Sequence, residues 1–208
     1  MRDQIVRIED YNSPAALWLD DDEWDEADIP CRPWLAPGFA LRGAVSLLVG
    51  APSAMKSSLM LGWAAAVALK HGYGRFQPAG SGGVIVYNIE DDKNEQRRRL
   101  SAVLRQFNAT PRDVKGQLIR IGPSNIGTLF VRDAATGKIT ATAAMDELRT
   151  LIAERAPAML IADPLAELHT AEENDNQALR AVIAEFRALA VEFQIAVILI
   201  HHTRKGIV

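Results

Sequence analysis

Residues 50–57 have the types and spacing that suit a bound phosphate. They read Gly-Ala-Pro-Ser-Ala-Met-Lys-Ser, between an apolar strand pattern and a helix pattern. The phosphate-loop pattern G-x-x-x-x-G-K-[ST] occurs in that same context. In such a loop, backbone N–H groups and the helix N-terminus form a concave anion site, where a lysine neutralises phosphates and a hydroxyl holds Mg²⁺. The segment therefore predicts a nucleotide site with Lys56 and Ser57 at its centre.

Met55 stands where the pattern has its second glycine. If that position needs a positive φ, a non-glycine residue costs roughly 1–2 kcal/mol, and the side chain would also crowd the phosphates. The alternative interpretation is that Gly50 only ends a strand and Lys56 begins a solvated helix. The predicted nucleotide-binding residues of the loop are Gly50, Ala51, Pro52, Ser53, Ala54, Met55, Lys56, Ser57 and Ser58.

Asp163 directly follows a second apolar strand pattern, 159–162. A carboxylate in that position would hold Mg²⁺ together with Ser57. Taken alone, an Asp before a Pro is more often a turn residue. The next residue is Pro164, so the group that activates water in a hydrolysis reaction must come from elsewhere.

The strand pattern 84–89 ends in three consecutive acids, Glu90, Asp91 and Asp92. Ligands of open α/β sheets lie outside the carboxyl ends of the strands, so these acids would reach the crevice that Asp163 reaches. Glu90 is the first candidate for the general base, and Asp91 is the second. The alternative is an acidic cap for the following helix, by Asp91 or Asp92, and both can hold at once.

His201 and His202 end the last apolar strand pattern, 195–200. Neighbouring residues of a strand point to opposite faces, so only one histidine can face the crevice, which argues against a two-histidine metal site. A histidine there would report whether a γ-phosphate is present. The alternative is a polar strand end in water. The sequence also has three consecutive arginines, Arg97 to Arg99, which we interpret as a solvated helix face.

Alternation of short apolar runs with helical patterns predicts an α/β fold. Strands that are apolar throughout imply a mostly parallel sheet with helices on both faces. The predicted strands are 44–49, 84–89, 117–121, 158–162 and 195–200, the predicted helices are 56–70, 94–107, 143–155 and 176–193, and a hairpin is predicted over 128–142.

Composition limits the class of protein. With 208 residues, 49% of them hydrophobic and 24% charged, the chain is neither disordered nor collagen-like. Cys31 is the only cysteine, which excludes an intrachain disulfide and a cysteine-based zinc site. No apolar stretch reaches the length of a bilayer span, and the first residues do not have a signal peptide's apolar run. We expect a cytoplasmic protein without a membrane partner.

Charge divides the chain near residue 30. Residues 1–30 have a net charge of −8, against −3 for the whole chain, so residues 31–208 carry +5. We expect an acidic, flexible N-terminal leader over 1–30 and one folded domain over 31–208. The alternative is a detachable acidic tail that shields a basic surface from nucleic acid.

Residues 32–206 resemble the RecA-like ATPases of the hexameric replicative-helicase branch, of the plasmid and phage RepA type. The resemblance implies a RecA-like P-loop NTPase fold, ATP and Mg²⁺ as cofactors, a ring-shaped homo-oligomer such as a hexamer, and single-stranded DNA as a partner. Relatives continue with further strands beyond this point, which implies a domain truncated at its C-terminus. The four blocks that carry the resemblance are RPWLAPGFALRGAVSLLVGAPSAMKSSLM, VIVYNIEDD, MLIADPLAELHTAEENDN and VILIHHTRKG.

The resemblance also implies residue roles. Glu90 with Asp91 matches the acidic pair that supplies the catalytic carboxylate. His202, or less favourably His201, matches the γ-phosphate sensor, and Arg204 or Lys205 would act towards an adjacent subunit. The implied roles are therefore catalytic for Lys56, Glu90 and His202, metal-binding for Ser57 and Asp163, and nucleotide-binding for the loop with Asp91 and His201.

The function expected from the sequence is ATP binding and hydrolysis by a motor domain of a RepA-type DNA helicase. One alternative is an ATP-dependent switch that binds DNA or protein without unwinding. Another is a nucleotide-binding scaffold in which Met55 prevents hydrolysis.

Overall fold

The computed structural model describes residues 25–80, 82–123, 127–172 and 175–202. The chain divides into two units, residues 1–32 and residues 33–208. In the described part of the first unit, a 3-10 turn spans Glu26–Asp28, and the side chain of Asp25 accepts a hydrogen bond from the backbone N–H of Ala27. The rest of the acidic leader lies outside the described residues, so its flexibility stays a prediction.

The second unit contains nine strands and four long helices in its described part. Two antiparallel hairpins accompany one large sheet. The first hairpin, β1 with β2, was not predicted, because its strands are too short to show a period. The second, β6 with β7, confirms the hairpin predicted over 128–142. The elements are β1 (Trp34–Ala36), β2 (Ala40–Leu41), β3 (Ala44–Gly50), α1 (Lys56–Leu69), β4 (Val84–Asn88), α2 (Lys93–Gln106), β5 (Leu118–Ile121), β6 (Phe130–Arg132), β7 (Ile139–Ala141), α3 (Ala143–Arg155), β8 (Met159–Asp163), α4 (Asn176–Phe193) and β9 (Ala196–His202).

The large sheet has five strands in the order β3-β9-β8-β4-β5, and all neighbouring strands are parallel. Each predicted strand and helix has a counterpart, with ends that differ by one or two residues. The predicted α/β class is therefore confirmed, and the sheet is parallel throughout.

Helices cover both faces of this sheet. On β8, Met159 and Ile161 pack in the cluster that contains the buried residues of α1 and α2. Leu160 and Ala162 pack in the cluster that contains those of α3 and α4. Because side chains alternate between faces, a strand that meets helices on both sides must be apolar at every position, and β8 is.

The prediction that residues 44–49 form a buried strand is wrong in part. β3 lies at an edge of the sheet and pairs only with β9 among the described strands. Leu47 and Val49 are 48% and 47% exposed. Both lie on the same face as Val45, which packs against the cluster around α3 and α4. Sequence hydrophobicity does not distinguish a central strand from this incompletely covered edge.

α2 begins at an acidic cap. The side chain of Asp92 accepts hydrogen bonds from the backbone N–H groups of Asn94 and Glu95, at 2.7 and 2.8 Å. These two bonds satisfy donors that no helical carbonyl can reach. The alternative interpretation of the acidic triplet, a helix cap, is confirmed for Asp92.

Replacement of the cap should lower thermal stability. We expect Asp92→Ala to lower the melting temperature by roughly 2–4 °C, because two first-turn N–H groups lose their acceptor. The same backbone bonds hold the pKa of Asp92 below its ordinary value. A depressed pKa contributes stability at neutral pH that is lost as the pH falls through it, so the difference between variant and wild type should shrink in acid.

Asp146→Ala is the matched control for this melting experiment. Asp146 is an acid in the first turn of α3 and does not form that helix's N-cap. Like Asp92, Asp146 lies near the positive end of a helix dipole, but its side chain does not form capping hydrogen bonds to the helix backbone. Equal losses in the two variants would show that the dipole, and not the pair of hydrogen bonds, stabilises α2.

Candidate nucleotide and metal site

Four strands end at the same edge of the sheet, and their register brings the candidate residues together. Gly50, the last residue of β3, pairs with His202 of β9. Asn88, the last residue of β4, pairs with Asp163 of β8. The loop after β3 and the acids after β4 therefore begin at the edge where β8 and β9 end, with β3 and β9 extending two residues further than β4 and β8.

A pocket of about 380 Å³ lies at this edge. The phosphate loop and the start of α1 form one wall. The turn after β4, the helix α2 and the end of β9 form the rest. Gly50, Ala51 and Pro52 are outside this lining. The residues that line the pocket are Ser53, Ala54, Met55, Lys56, Ser57, Ser58, Glu90, Arg99 and His202.

Met55 adopts the left-handed conformation, with φ 56° and ψ 23°. This position therefore does have the positive φ at which a non-glycine residue is strained, and Ser53 in the same loop has φ 62°. Met55 is 73% exposed, so its side chain extends largely into solvent at the pocket rim. As the N-cap residue of α1, it offers the helix no side-chain hydrogen bond, and N–H groups of the first turn keep their capacity to bind an anion.

Lys56 is folded back into its own loop. Its Nζ donates hydrogen bonds to the backbone carbonyls of Gly50 at 2.8 Å and Ala51 at 2.7 Å, and the residue is only 6% exposed. An ammonium group has three N–H donors, so these bonds leave one. Gly50 and Ala51 thus act through their carbonyls, which hold the lysine at the pocket.

Asp163 is the buried acid of the site, with 2% of its surface exposed. The Ser57 side chain favours its charged form, and its Oδ1 has no hydrogen-bond partner among the described residues. Burial raises the pKa of Asp163 above its ordinary value, and the neighbouring carboxylates of Glu90 and Asp91 raise it further, against the opposing effects of Ser57 and His202. A hard cation fits this pair of oxygen donors, because Mg²⁺ binds hydroxyl and carboxylate oxygen.

Glu90 and Asp91 occupy different environments. The side-chain carbonyl of Asn88 accepts hydrogen bonds from the backbone N–H groups of both, at 3.1 and 2.8 Å. Glu90 is exposed and lines the pocket. Asp91 is 8% exposed, outside the lining, and forms an ion pair with Arg99 at 3.0 Å. Asp91 thus lies outside the pocket lining with its carboxylate paired, and its assignment to the nucleotide-binding set stays a prediction.

Arg99 is the pocket residue that the sequence interpretation missed. It was interpreted as part of a solvated helix face, but its side chain is 35% exposed and forms ion pairs with Asp91 and Glu95, both at 3.0 Å. The signal was present in the spacing: Glu95 and Arg99 are four residues apart and share one face of α2, and Asp91 lies just before the N-cap of that helix. The pairing fixes a cation beside the candidate base.

The two histidines lie on opposite faces of β9, as alternation requires. His202 lies on the side of α1 and lines the phosphate-loop pocket. His201 lines a separate cavity of about 50 Å³ with His169 and Leu179. His201 therefore lies away from the phosphate-loop pocket, and its assignment to the nucleotide-binding residues stays a prediction, as does the sensor role of His202. Arg204 and Lys205 lie outside the described residues.

Relief of the left-handed strain at Met55 should stabilise the domain. We expect Met55→Gly to raise the free energy of unfolding by about 0.5–1 kcal/mol, because glycine adopts positive φ without the steric cost. The larger entropy of glycine in the unfolded chain offsets part of that gain. Denaturant unfolding measures the change. Met55→Ala is the control, since alanine removes the same side chain but keeps the Cβ; an equal gain from alanine would contradict the strain argument.

In the part of the chain that the structure describes, no helix combines the length and the apolar character needed to cross a membrane.

Comparison with known proteins agrees with the site. The family model described as "AAA domain" matches residues 11–207. None of the curated proteins matches the chain. The match covers nearly the whole sequence, and the geometry supplies a phosphate loop, a buried acid beside its hydroxyl, and a parallel sheet that positions both. The chain therefore belongs to the AAA domain family, and it is a P-loop ATPase domain.

Proposed function

We propose that this domain hydrolyses Mg·ATP with Glu90 as the general base, and that it drives a RepA-type DNA motor. The observation that supports the hydrolytic part best is the convergence of an exposed acid, a buried acid and a histidine beside the phosphate loop. Ligand atoms of Glu90, Asp163 and His202 all lie within 4.8 Å of one another.

Binding of the triphosphate uses the loop and Lys56. N–H groups at the start of α1 and the remaining donor of Lys56 bind the β- and γ-phosphate oxygens. Ser57 and Asp163 hold Mg²⁺, which supplies positive charge to the phosphates when bound. Met55 remains at the rim, where its exposed side chain leaves the loop backbone accessible.

Hydrolysis is an in-line displacement at the γ-phosphorus. The carboxylate of Glu90 accepts a proton from the attacking water, the new O–P bond forms, and the bond to the β–γ bridging oxygen breaks to leave ADP. Glu90 suits the base role because it is exposed in the pocket, whereas Asp91 is paired with Arg99. His202 is placed to contact the γ-phosphate and to transmit its loss to β9.

The DNA-motor part of the proposal rests on the resemblance to RepA-type ATPases and on charge. Residues 31–208 carry a net charge of +5, which favours a polyanionic partner. We propose single-stranded DNA as that partner and a ring of identical subunits, such as a hexamer, as the active form. Arg204 or Lys205 would then act towards the neighbouring subunit.

Glu90→Gln should separate binding from hydrolysis. We expect ATP affinity within about twofold of wild type and a turnover at least roughly 10²-fold slower, because glutamine keeps the shape of the side chain but cannot accept the proton. Binding is measured with a fluorescent ATP analogue, and turnover by phosphate release. Lys56→Ala, in contrast, should lose binding itself.

Glu167→Gln is the matched control for this pair, since Glu167 is an exposed acid in the 3-10 turn after β8, outside the pocket lining. Its turnover should equal that of wild type. Equal losses of affinity and turnover in Glu90→Gln would assign Glu90 a structural role, and unchanged turnover in Lys56→Ala would overturn the phosphate-loop assignment.

Single-stranded DNA should stimulate turnover, and ATP should favour assembly. We expect ATP hydrolysis several-fold faster with DNA, together with a light-scattering mass of several subunits in the presence of a non-hydrolysable analogue. Stimulation should fall with added salt, because phosphate contacts release counterions. Assembly with DNA-independent turnover and no strand separation would instead favour a nucleotide-dependent switch.

A further inference from the structure

Glu90, Asp163 and His202 form a set of donors that differs from the ordinary Mg²⁺ pair. Each offers one ligand atom, and the three atoms lie within 4.8 Å of one another. Two are carboxylate oxygens, and the third is an imidazole nitrogen. Ser57 and Asp163 alone would supply only oxygen, which suits Mg²⁺, whereas a ring nitrogen suits the later first-row divalent ions.

Two buried atoms of the set lack the partners that burial normally demands. Asp163 is 2% exposed, and within the described ranges neither its Oδ1 nor the Nδ1 of His202 has a hydrogen-bond partner. Buried polar atoms are paired in the great majority of cases, and a carboxylate without compensation is costly. A cation at this point would compensate both atoms at once.

The spacing of the three atoms is close to that of a metal site. Tetrahedral ligand atoms bonded to one ion at about 2.1 Å are about 3.4 Å apart. The observed upper limit of 4.8 Å therefore requires the atoms of a pair to approach each other by about 1.4 Å or less. Glu90 is the exposed member, so its side chain can move without disturbing the core.

Nearby positive groups have other partners. Arg99, which lines the pocket, forms ion pairs with Asp91 and Glu95. Lys56 donates to the carbonyls of Gly50 and Ala51. Neither cation forms an ion pair with Glu90 or Asp163 among the described residues, so both carboxylates keep their charge available for a metal.

We propose that Glu90, Asp163 and His202 form a binding site for a divalent first-row transition ion of the Mn²⁺ to Zn²⁺ series, which binds without nucleotide. The site discriminates against Mg²⁺ through the imidazole nitrogen of His202. The site includes Asp163, which we also assign to Mg²⁺ together with Ser57, and Glu90, which is the proposed general base. An ion bound there therefore competes with hydrolysis. The binding itself does not depend on the proposed function, because it needs no ATP.

The experiment uses the full chain, free of nucleotide and phosphate, titrated with Mn²⁺ while free Mn²⁺ is followed by electron paramagnetic resonance. We expect one ion per chain. His202→Ala should weaken Mn²⁺ binding by roughly tenfold or more, a loss at least as large as that for a second-shell partner. His201→Ala, one residue away on the opposite face, should leave the affinity unchanged.

Electron spin-echo envelope modulation of the Mn²⁺-bound protein tests the ligand directly. A coordinated imidazole gives ¹⁴N modulation, which should be present in wild type and His201→Ala and absent in His202→Ala. Glu90→Gln serves if His202→Ala fails to fold, because Glu90 is exposed; it should weaken binding by a similar factor and keep the ¹⁴N modulation.

Two outcomes would overturn the proposal: no Mn²⁺ binding until ATP is added, or ¹⁴N modulation that survives in His202→Ala. Both are distinguishable from failure of the proposed ATPase mechanism, which is measured separately as phosphate release in Mg²⁺. Zn²⁺ at an equal concentration should displace Mn²⁺, because imidazole suits Zn²⁺ better, whereas Mg²⁺ at the same concentration should not, because it favours oxygen donors alone.

Discussion

The site depends on one buried carboxylate, that of Asp163. Moving a carboxylate out of water costs several kcal/mol unless opposite charge and hydrogen bonds compensate it. Asp163 is 2% exposed and the Ser57 side chain favours its charged form, yet one of its oxygens has no hydrogen-bond partner among the described residues. Burial raises its pKa, and an adjacent cation would lower it again. The fold therefore keeps an acid whose charge is most stable when a metal ion is bound beside it.

The parallel register explains why this acid meets the other groups. Gly50 pairs with His202, and Asn88 pairs with Asp163, so four strands end at one edge of the sheet, with β3 and β9 two residues longer than β4 and β8 there. Side-chain alternation then selects the face. His202 and Asp163 lie on the strand faces whose residues pack against α1 and α2. His201 lies on the opposite face of β9, whose residues pack against α3 and α4. Segments far apart in the sequence thus reach one pocket through backbone geometry alone.

Much of this arrangement could be predicted, because it follows from short apolar runs and from what ends them. The strands, the helices and the positions of Glu90, Asp163 and His202 at the sheet edge follow from period and alternation. Exposure and pairing could not be predicted in the same way, since they depend on contacts between elements. The incompletely covered edge at Leu47 and the inward position of Arg99 are both of this kind.

The contrast between Glu90 and Asp91 shows how a local hydrogen bond assigns different chemistry to adjacent acids. Asn88 binds both backbone N–H groups and so fixes the turn after β4. In that turn Asp91 points to the protein, where Asn88 and Arg99 bind its carboxylate at 3.2 and 3.0 Å. Glu90 is left exposed at the pocket, and an exposed side chain can change rotamer at little cost. One turn and one strand end therefore give the site an exposed acid, Glu90, which we propose accepts a proton, and a buried acid, Asp163, which we propose binds a metal ion.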